Sequence, residues 1–162
     1  MQDVQSRLDV PSETEGTSIP LDAFPPYLMN LLMGQLNKRL NDGLVAHGLS
    51  FQYWRVLLVL VLRGARNLSE LVQETMIPQS TLSRVIVRME RGGLVVRSKA
   101  DGDSRILNLN VTPAGRARFQ SVYPLALREH HRALDLLTAD EQAVFTRLLQ
   151  KMVRGVCDES PD

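Results

Sequence analysis

The sequence predicts a mainly α-helical domain that carries one small β-hairpin, and three observations lead there. Apolar residues recur at spacings of three and four along most of the chain after residue 24, which is the period of an amphipathic helix. Two short strand-like segments, 94–99 and 105–111, flank the polar turn ADGDS. A length of 162 residues, 44% hydrophobic and 23% charged, suffices for one core and not for two independent ones.

Residues 1–22 are polar, contain Pro11, Gly16 and Pro20, and show no apolar period, so they are expected to form a mobile arm. After Pro25 and Pro26, the residues Leu28, Leu31, Leu32, Leu36 and Leu40 draw a helical stripe that ends near Ala46, before Gly48. Ser50 is an N-cap candidate for a helix over 51–63. Periodicity alone also fits its run VLLVLVL to a buried strand, but 13 residues without a breaker exceed the usual strand, and Gly64 closes it. Asn67 followed by Glu70 has the form of a capping box and opens a short helix over 68–75. Pro78 is tolerated at a helix start and not inside one, so a tight turn separates this helix from the next, 79–91.

In helix 79–91, Leu82, Val85, Ile86 and Met89 form the buried stripe. Gln79, Ser80, Ser83, Arg84 and Arg88 are left as an outward row of polar groups without an apolar member. Gly92 and Gly93 stop the helix ahead of the hairpin. Thr112 and Pro113 then supply an N-cap and an N1 proline for a long helix to about 137, expected to kink at Pro124. Thr138 and Glu141 make a T-x-x-E capping box for a last helix through Val144, Phe145, Leu148, Leu149 and Met152.

Several function classes lose support at this point. The longest apolar run is seven residues, against about 20 needed to span a bilayer as a helix. The N-terminus lacks the basic and apolar regions of a secretory signal, and the lone Cys157 can form no internal disulfide, so a cytoplasmic location without membrane association is expected. Motifs for nucleophilic, phosphoryl-transfer, nicotinamide or structural-zinc chemistry are missing, and the reading is of a non-enzyme without a cofactor. His130 and His131 are adjacent, which on a helix points them about 100° apart and denies them a shared metal ion; no metal site is expected.

The net charge of +1 conceals a division. Residues 63–118 hold ten basic and five acidic side chains, whereas the rest holds nine and thirteen. A basic middle between acidic ends suits a module that neutralises phosphates, although on charge alone an ordinary solvated surface fits equally well. Layout decides between them. A short helix, a tight turn, a second helix with a polar outer face and a hairpin with basic residues compose a winged helix-turn-helix.

The stretch 67–116 resembles the DNA-binding core of the MarR family of bacterial transcription regulators. The resemblance rests on the S-T-x-S-R helix start, the E-x-x-G-L-V-x-R exit, the D-x-R wing of Asp103, Ser104 and Arg105, and the L-x-V-T-x-x-G passage into the next helix. The wing departs from the family's fuller D-x-R-D-x-R form, since Ala100, Asp101 and Gly102 replace the first half. What the resemblance implies is a winged helix-turn-helix core over about 50–111, flanked by dimerisation helices over about 25–46 and 112–155. The protein would then be a homodimeric repressor on a near-palindromic operator in double-stranded DNA. Gln79, Ser80, Thr81, Ser83, Arg84, Arg88, Lys99, Asp103 and Arg105 are the candidate DNA contacts.

The resemblance also implies an effector pocket between the dimerisation helices and the winged core. Phe24, Tyr27, Tyr53 and Trp54 offer aromatic walls, with Arg132 and His131 as preferred cationic partners and Arg55 in reserve. Such a lining suits a small aromatic carboxylate, for example a hydroxy- or methoxybenzoate, or its thioester. The rival reading is a winged-helix module that does not switch and meets a protein with its polar helix face; it has no use for the basic middle.

Overall fold

The computed structural model describes residues 19–100 and 103–158, with side chains except those at 100, 103–106, 157 and 158. Residues 1–18 of the predicted arm lie outside the described residues. Six helices and one hairpin follow in the order α1 (Pro25–Ala46), α2 (Phe51–Arg63), α3 (Leu68–Thr75), α4 (Gln79–Arg91), β1 (Val95–Ala100), β2 (Asp103–Val111), α5 (Pro113–Leu134) and α6 (Ala139–Asp158). A 3-10 turn over Leu21–Ala23 precedes them. The chain divides into a unit ending at Gly34 and a second beginning at Gln35.

Helix boundaries match the local stop and start signals. Ser50 Oγ accepts the Tyr53 N–H at 3.2 Å. Asn67 and Glu70 form a complete capping box, in which the Asn67 N–H donates to Glu70 Oε2 at 2.8 Å and the Glu70 N–H donates to Asn67 Oδ1 at 3.0 Å. Thr138 donates to Glu141 Oε2 through its N–H at 2.8 Å and its hydroxyl at 2.9 Å, which holds the Glu141 carboxyl below its ordinary pKa. The turn between α3 and α4 places Met76 at φ 52°, a left-handed conformation that a side chain disfavours. Thr75, buried beneath the turn, steadies it by accepting the Ile77 N–H at 3.4 Å.

One boundary shifts. α5, which contains Pro124, ends at Leu134 rather than near 137. The turn that follows exposes Leu136, and the Gln142 side chain donates to the carbonyls of Leu134 and Leu137, both at 3.0 Å, satisfying acceptors that the helix end leaves open.

In the second unit, α2 is the centre of packing, with α3, α4, β2 and α5 all resting on it. Leu57, Leu60, Leu71, Leu82, Ile86 and Met89 are almost fully buried there. Trp54 stacks on Phe119, ring centroids 5.2 Å apart and planes within 6°, and Tyr123 adds a third ring 5.0 Å from Phe119. The hairpin is antiparallel, pairing Val95 with Val111, Arg97 with Leu109 and Lys99 with Leu107. A single residue adds a third edge, because Arg66 and Leu109 exchange backbone hydrogen bonds of 3.2 and 2.8 Å.

The hairpin's base is fastened to α5 by the L-x-V-T-x-x-G passage. Thr112 Oγ1 donates toward the carbonyls of Gly93 at 2.6 Å and Leu94 at 3.1 Å, and accepts the Gly115 N–H at 3.0 Å. A Cβ on Gly115 would stand 2.0 Å from the Leu94 carbonyl oxygen. Gly115→Ala is therefore expected to destabilise the protein by about 3 kcal/mol through overpacking against backbone, measured by urea unfolding. An unchanged midpoint would show that the seam is looser than the geometry demands.

Candidate nucleic-acid interface

α4 owes its two faces to sequence order. Leu82, Val85, Ile86 and Met89, spaced three and four apart, are buried on α2 and α3, so the opposite side of the helix must face outward. Gln79, Ser80, Arg84 and Arg88 are exposed, and Thr81 and Ser83 are half-buried. The Ser83 hydroxyl donates to the Gln79 carbonyl at 2.9 Å, which commits its proton to the helix and leaves its oxygen as an acceptor. Arg84 Nε donates to the Ser80 carbonyl at 3.2 Å. That tether fixes the base of the guanidinium while its two terminal nitrogens remain for an outside partner.

The outward row does contain an apolar member, against the expectation from sequence. Val87 is 39% exposed. The signal was available: at about 100° per residue, position 87 falls roughly 150° from the centre of the 82, 85, 86, 89 stripe. Reading that stripe for its members alone passes over it.

Seven of the ten basic residues of the middle segment divide into two groups. Arg66 Nε donates to Glu74 Oε1 at 3.1 Å, with both side chains mostly buried, and Arg63 approaches the same oxygen at 3.4 Å. Arg97 pairs with Glu90 at 3.1 Å and so joins β1 to α4. These three arginines are engaged with carboxylates of the scaffold. Arg84, Arg88, Arg91 and Lys99 have no ion-pair partner among the described residues and are exposed. The hairpin register puts Lys99 on the same sheet face as Arg97 and Leu109, the face turned to α4. A cleft of about 450 Å³ lies between them, lined by Asn67, Ser83, Ile86, Arg97, Leu107 and Leu109. The side chains of Asp103 and Arg105, the other two wing candidates, lie outside the described residues, although their backbone belongs to β2.

The effector candidates are scattered in character. Phe24 is exposed and Tyr27 half-buried in the unit that ends at Gly34. In the second unit Trp54 is 3% exposed inside its aromatic stack, a core position. Tyr53 and Arg55 are half-buried beside it in sequence. The Arg55 guanidinium sits 6.0 Å from the Phe51 ring centroid, and burial lowers its pKa. His131 and Arg132 are exposed on α5, each 3.9 Å from a carboxylate of its own helix, Asp135 and Glu129. No cluster of three or more metal-ligating side chains occurs among the described residues, and none of their helices is by itself long and apolar enough to cross a membrane.

Comparison with known proteins fits this geometry. A profile described as MarR family matches residues 47–106. The chain is 33% identical to a MarR family transcriptional regulator from Silicibacter pomeroyi whose structure is solved, over 88% of this chain and 97% of that one, with a TM-score of 0.80. It is 29% identical over 108 residues to the homoprotocatechuate degradative operon repressor of Escherichia coli, covering 66% of this chain and 72% of that protein. A solved Bordetella bronchiseptica protein, BpsR, whose DNA binding is regulated by 6-hydroxynicotinic acid, is 26% identical over 80% of this chain and 98% of that one, with a TM-score of 0.69.

The division of the arginines has a measurable consequence. Glu74→Gln removes the charge that gathers Arg63 and Arg66, and is expected to lower stability by about 1 kcal/mol, the partly exposed pair being weakened by solvent. Chemical denaturation of the variant checks this, and unaltered stability would mean that the pairing contributes nothing.

Proposed function

The chain belongs to the MarR family of winged helix-turn-helix transcription regulators, and from that premise we propose that it is a homodimeric repressor of a near-palindromic operator, released by a small aromatic acid. The observation that carries this reading is the cationic and polar face of α4, where Arg84, Arg88 and Arg91, together with Lys99 of the hairpin, are exposed and have no ion-pair partner among the described residues, whereas Arg63, Arg66 and Arg97 are paired with carboxylates. A helix of this width enters the major groove, where the two terminal nitrogens of Arg84 suit a guanine edge and Gln79 suits adenine. Ser80, Thr81, Ser83 and Arg88 serve phosphates or neighbouring bases, while the hairpin with Lys99, Asp103 and Arg105 follows the adjacent backbone.

The dimer is supported by apolar surface that this chain leaves open. Among the described residues of α6 no side chain is fully buried, and Val144, Leu148, Met152, Val153 and Val156 are all large and exposed. In the first unit Leu28, Leu31, Leu32 and Met33 are likewise exposed along α1. Contiguous apolar faces of that kind mark an interface. A second copy related by a two-fold axis covers both and places two α4 helices one turn of DNA apart, about 34–36 Å.

An aromatic acid as effector is supported by the relatives named for homoprotocatechuate degradation and for 6-hydroxynicotinic acid. Arg55, the reserve choice from sequence, becomes our preferred cationic partner because it is half-buried and partly desolvated, whereas His131 and Arg132 are exposed and each lie 3.9 Å from a carboxylate of α5. A charge-assisted bond to a carboxylate is stronger at the less solvated site. Trp54 then acts as a reporter of α2 packing on α5 rather than as a wall of the site.

Three outcomes are expected. Arg84→Ala weakens binding to a duplex selected from a random pool by about 5- to 150-fold and leaves the melting temperature unchanged; undiminished affinity would remove Arg84 from the interface. Sedimentation at micromolar concentration gives a dimer, and a pure monomer would defeat the assembly. Titration with hydroxy- and methoxybenzoates changes Trp54 emission and releases the duplex, with Arg55→Ala reducing the response. A panel of aromatic acids and thioesters that does neither would discard this effector class while leaving the DNA-binding reading intact.

A further inference from the structure

Val87 is the exposed apolar side chain on a helix face otherwise made of Gln79, Ser80, Arg84, Arg88 and Arg91. At about 100° per residue it projects within roughly 20° of Ser80 and 60° of Arg84, two turns and one turn along the helix respectively. It therefore shares their outward sector. Among the described residues it is not part of the buried core cluster, nor does it line the cleft between α4 and the hairpin. A β-branched residue is also a mediocre helix former, which makes an exposed mid-helix valine a costly choice where folding alone decides. In the major groove the apolar feature that a base edge offers is the C5-methyl of thymine. Branching at Cβ holds a valine in one strongly preferred rotamer on a helix, so its two methyl groups present a fixed surface.

We propose that Val87 is a specificity-determining residue that reads a thymine methyl in each half-site, next to the base read by Arg84. The proposal rests on α4 being the helix that enters the groove, and the experiment separates the two claims. Duplexes selected by the wild-type protein from a random pool are remade with uracil in place of each thymine in turn, which deletes the methyl and keeps the pairing edge. For wild type, one position per half-site is expected to lose about fourfold in affinity, the effect of one buried methyl-sized group. Val87→Ala is expected to bind the thymine and uracil duplexes alike, with a melting temperature no lower than that of wild type, because the side chain is outside the core cluster and alanine is the better helix former. That comparison also cancels any effect of uracil on the duplex itself.

Two results would overturn the assignment: a wild-type protein indifferent to every uracil, or a Val87→Ala protein that keeps the full uracil penalty. If Arg84→Ala weakens binding while either of these holds, only the role of Val87 falls. Failure of both Arg84→Ala and Val87→Ala to alter binding would remove α4 from the groove and take both readings with it.

Discussion

Thr112 and Gly115 form the seam on which the arrangement of helix face and hairpin depends. Through its hydroxyl and N–H, Thr112 binds the carbonyls of Gly93 and Leu94, the two residues that lead out of α4, and the same hydroxyl caps α5. Gly93 adopts φ 68°, where glycine carries no steric penalty, and this reversal turns the chain from helix to strand. Gly115 permits the first turn of α5 to lie directly on the Leu94 carbonyl. The end of α4, both ends of the hairpin's base and the start of α5 thus meet within a few residues. Moving any one of them moves the hairpin relative to α4.

A second tie acts from the other side of the hairpin. Arg66 pairs its backbone with Leu109 while its side chain reaches Glu74 on α3, so one residue links the hairpin to the helix pair. Arg97 and Glu90 add a bond from β1 to α4. Arg66 and Glu74 sit in partly desolvated surroundings, where electrostatic interaction is worth more than at the open surface. Arg84, Arg88 and Arg91 of α4 are exposed, and they can neutralise phosphates without first breaking an ion pair among the described residues. Rigidity and availability are thereby assigned to different residues of one basic segment.

Apolar surface shows the same separation. The core around α2 is closed, with an aromatic stack filling the contact with α5. α6 has a pronounced apolar face and no fully buried side chain among its described residues, so its stability as a lone helix in water would be marginal without a partner. Assembly and helix order are accordingly linked in the proposed dimer. An effector need shift the balance between two dimer geometries by only about 1.4 kcal/mol to change DNA affinity tenfold, because binding free energies differ by small amounts between such states.

Much of this was legible in the chain itself. Ser50, Asn67 with Glu70, Thr112 and Thr138 with Glu141 set the starts of four helices, because a cap is a local hydrogen bond between a side chain and a backbone group three residues away. The buried stripe of α4 followed from spacing for the same reason. What the sequence could not fix was every feature joining residues far apart along the chain. The Arg66 to Leu109 bridge, the pairing of Arg97 with Glu90, the closure of Trp54 under Phe119 and the 2.0 Å approach that reserves position 115 for glycine all arise when elements dock. Aromatic content suggested a ligand wall at Trp54, and docking made it core. Local signals determine where elements begin and which face is apolar; which charges are consumed and which remain free depends on neighbours that only the folded chain brings together.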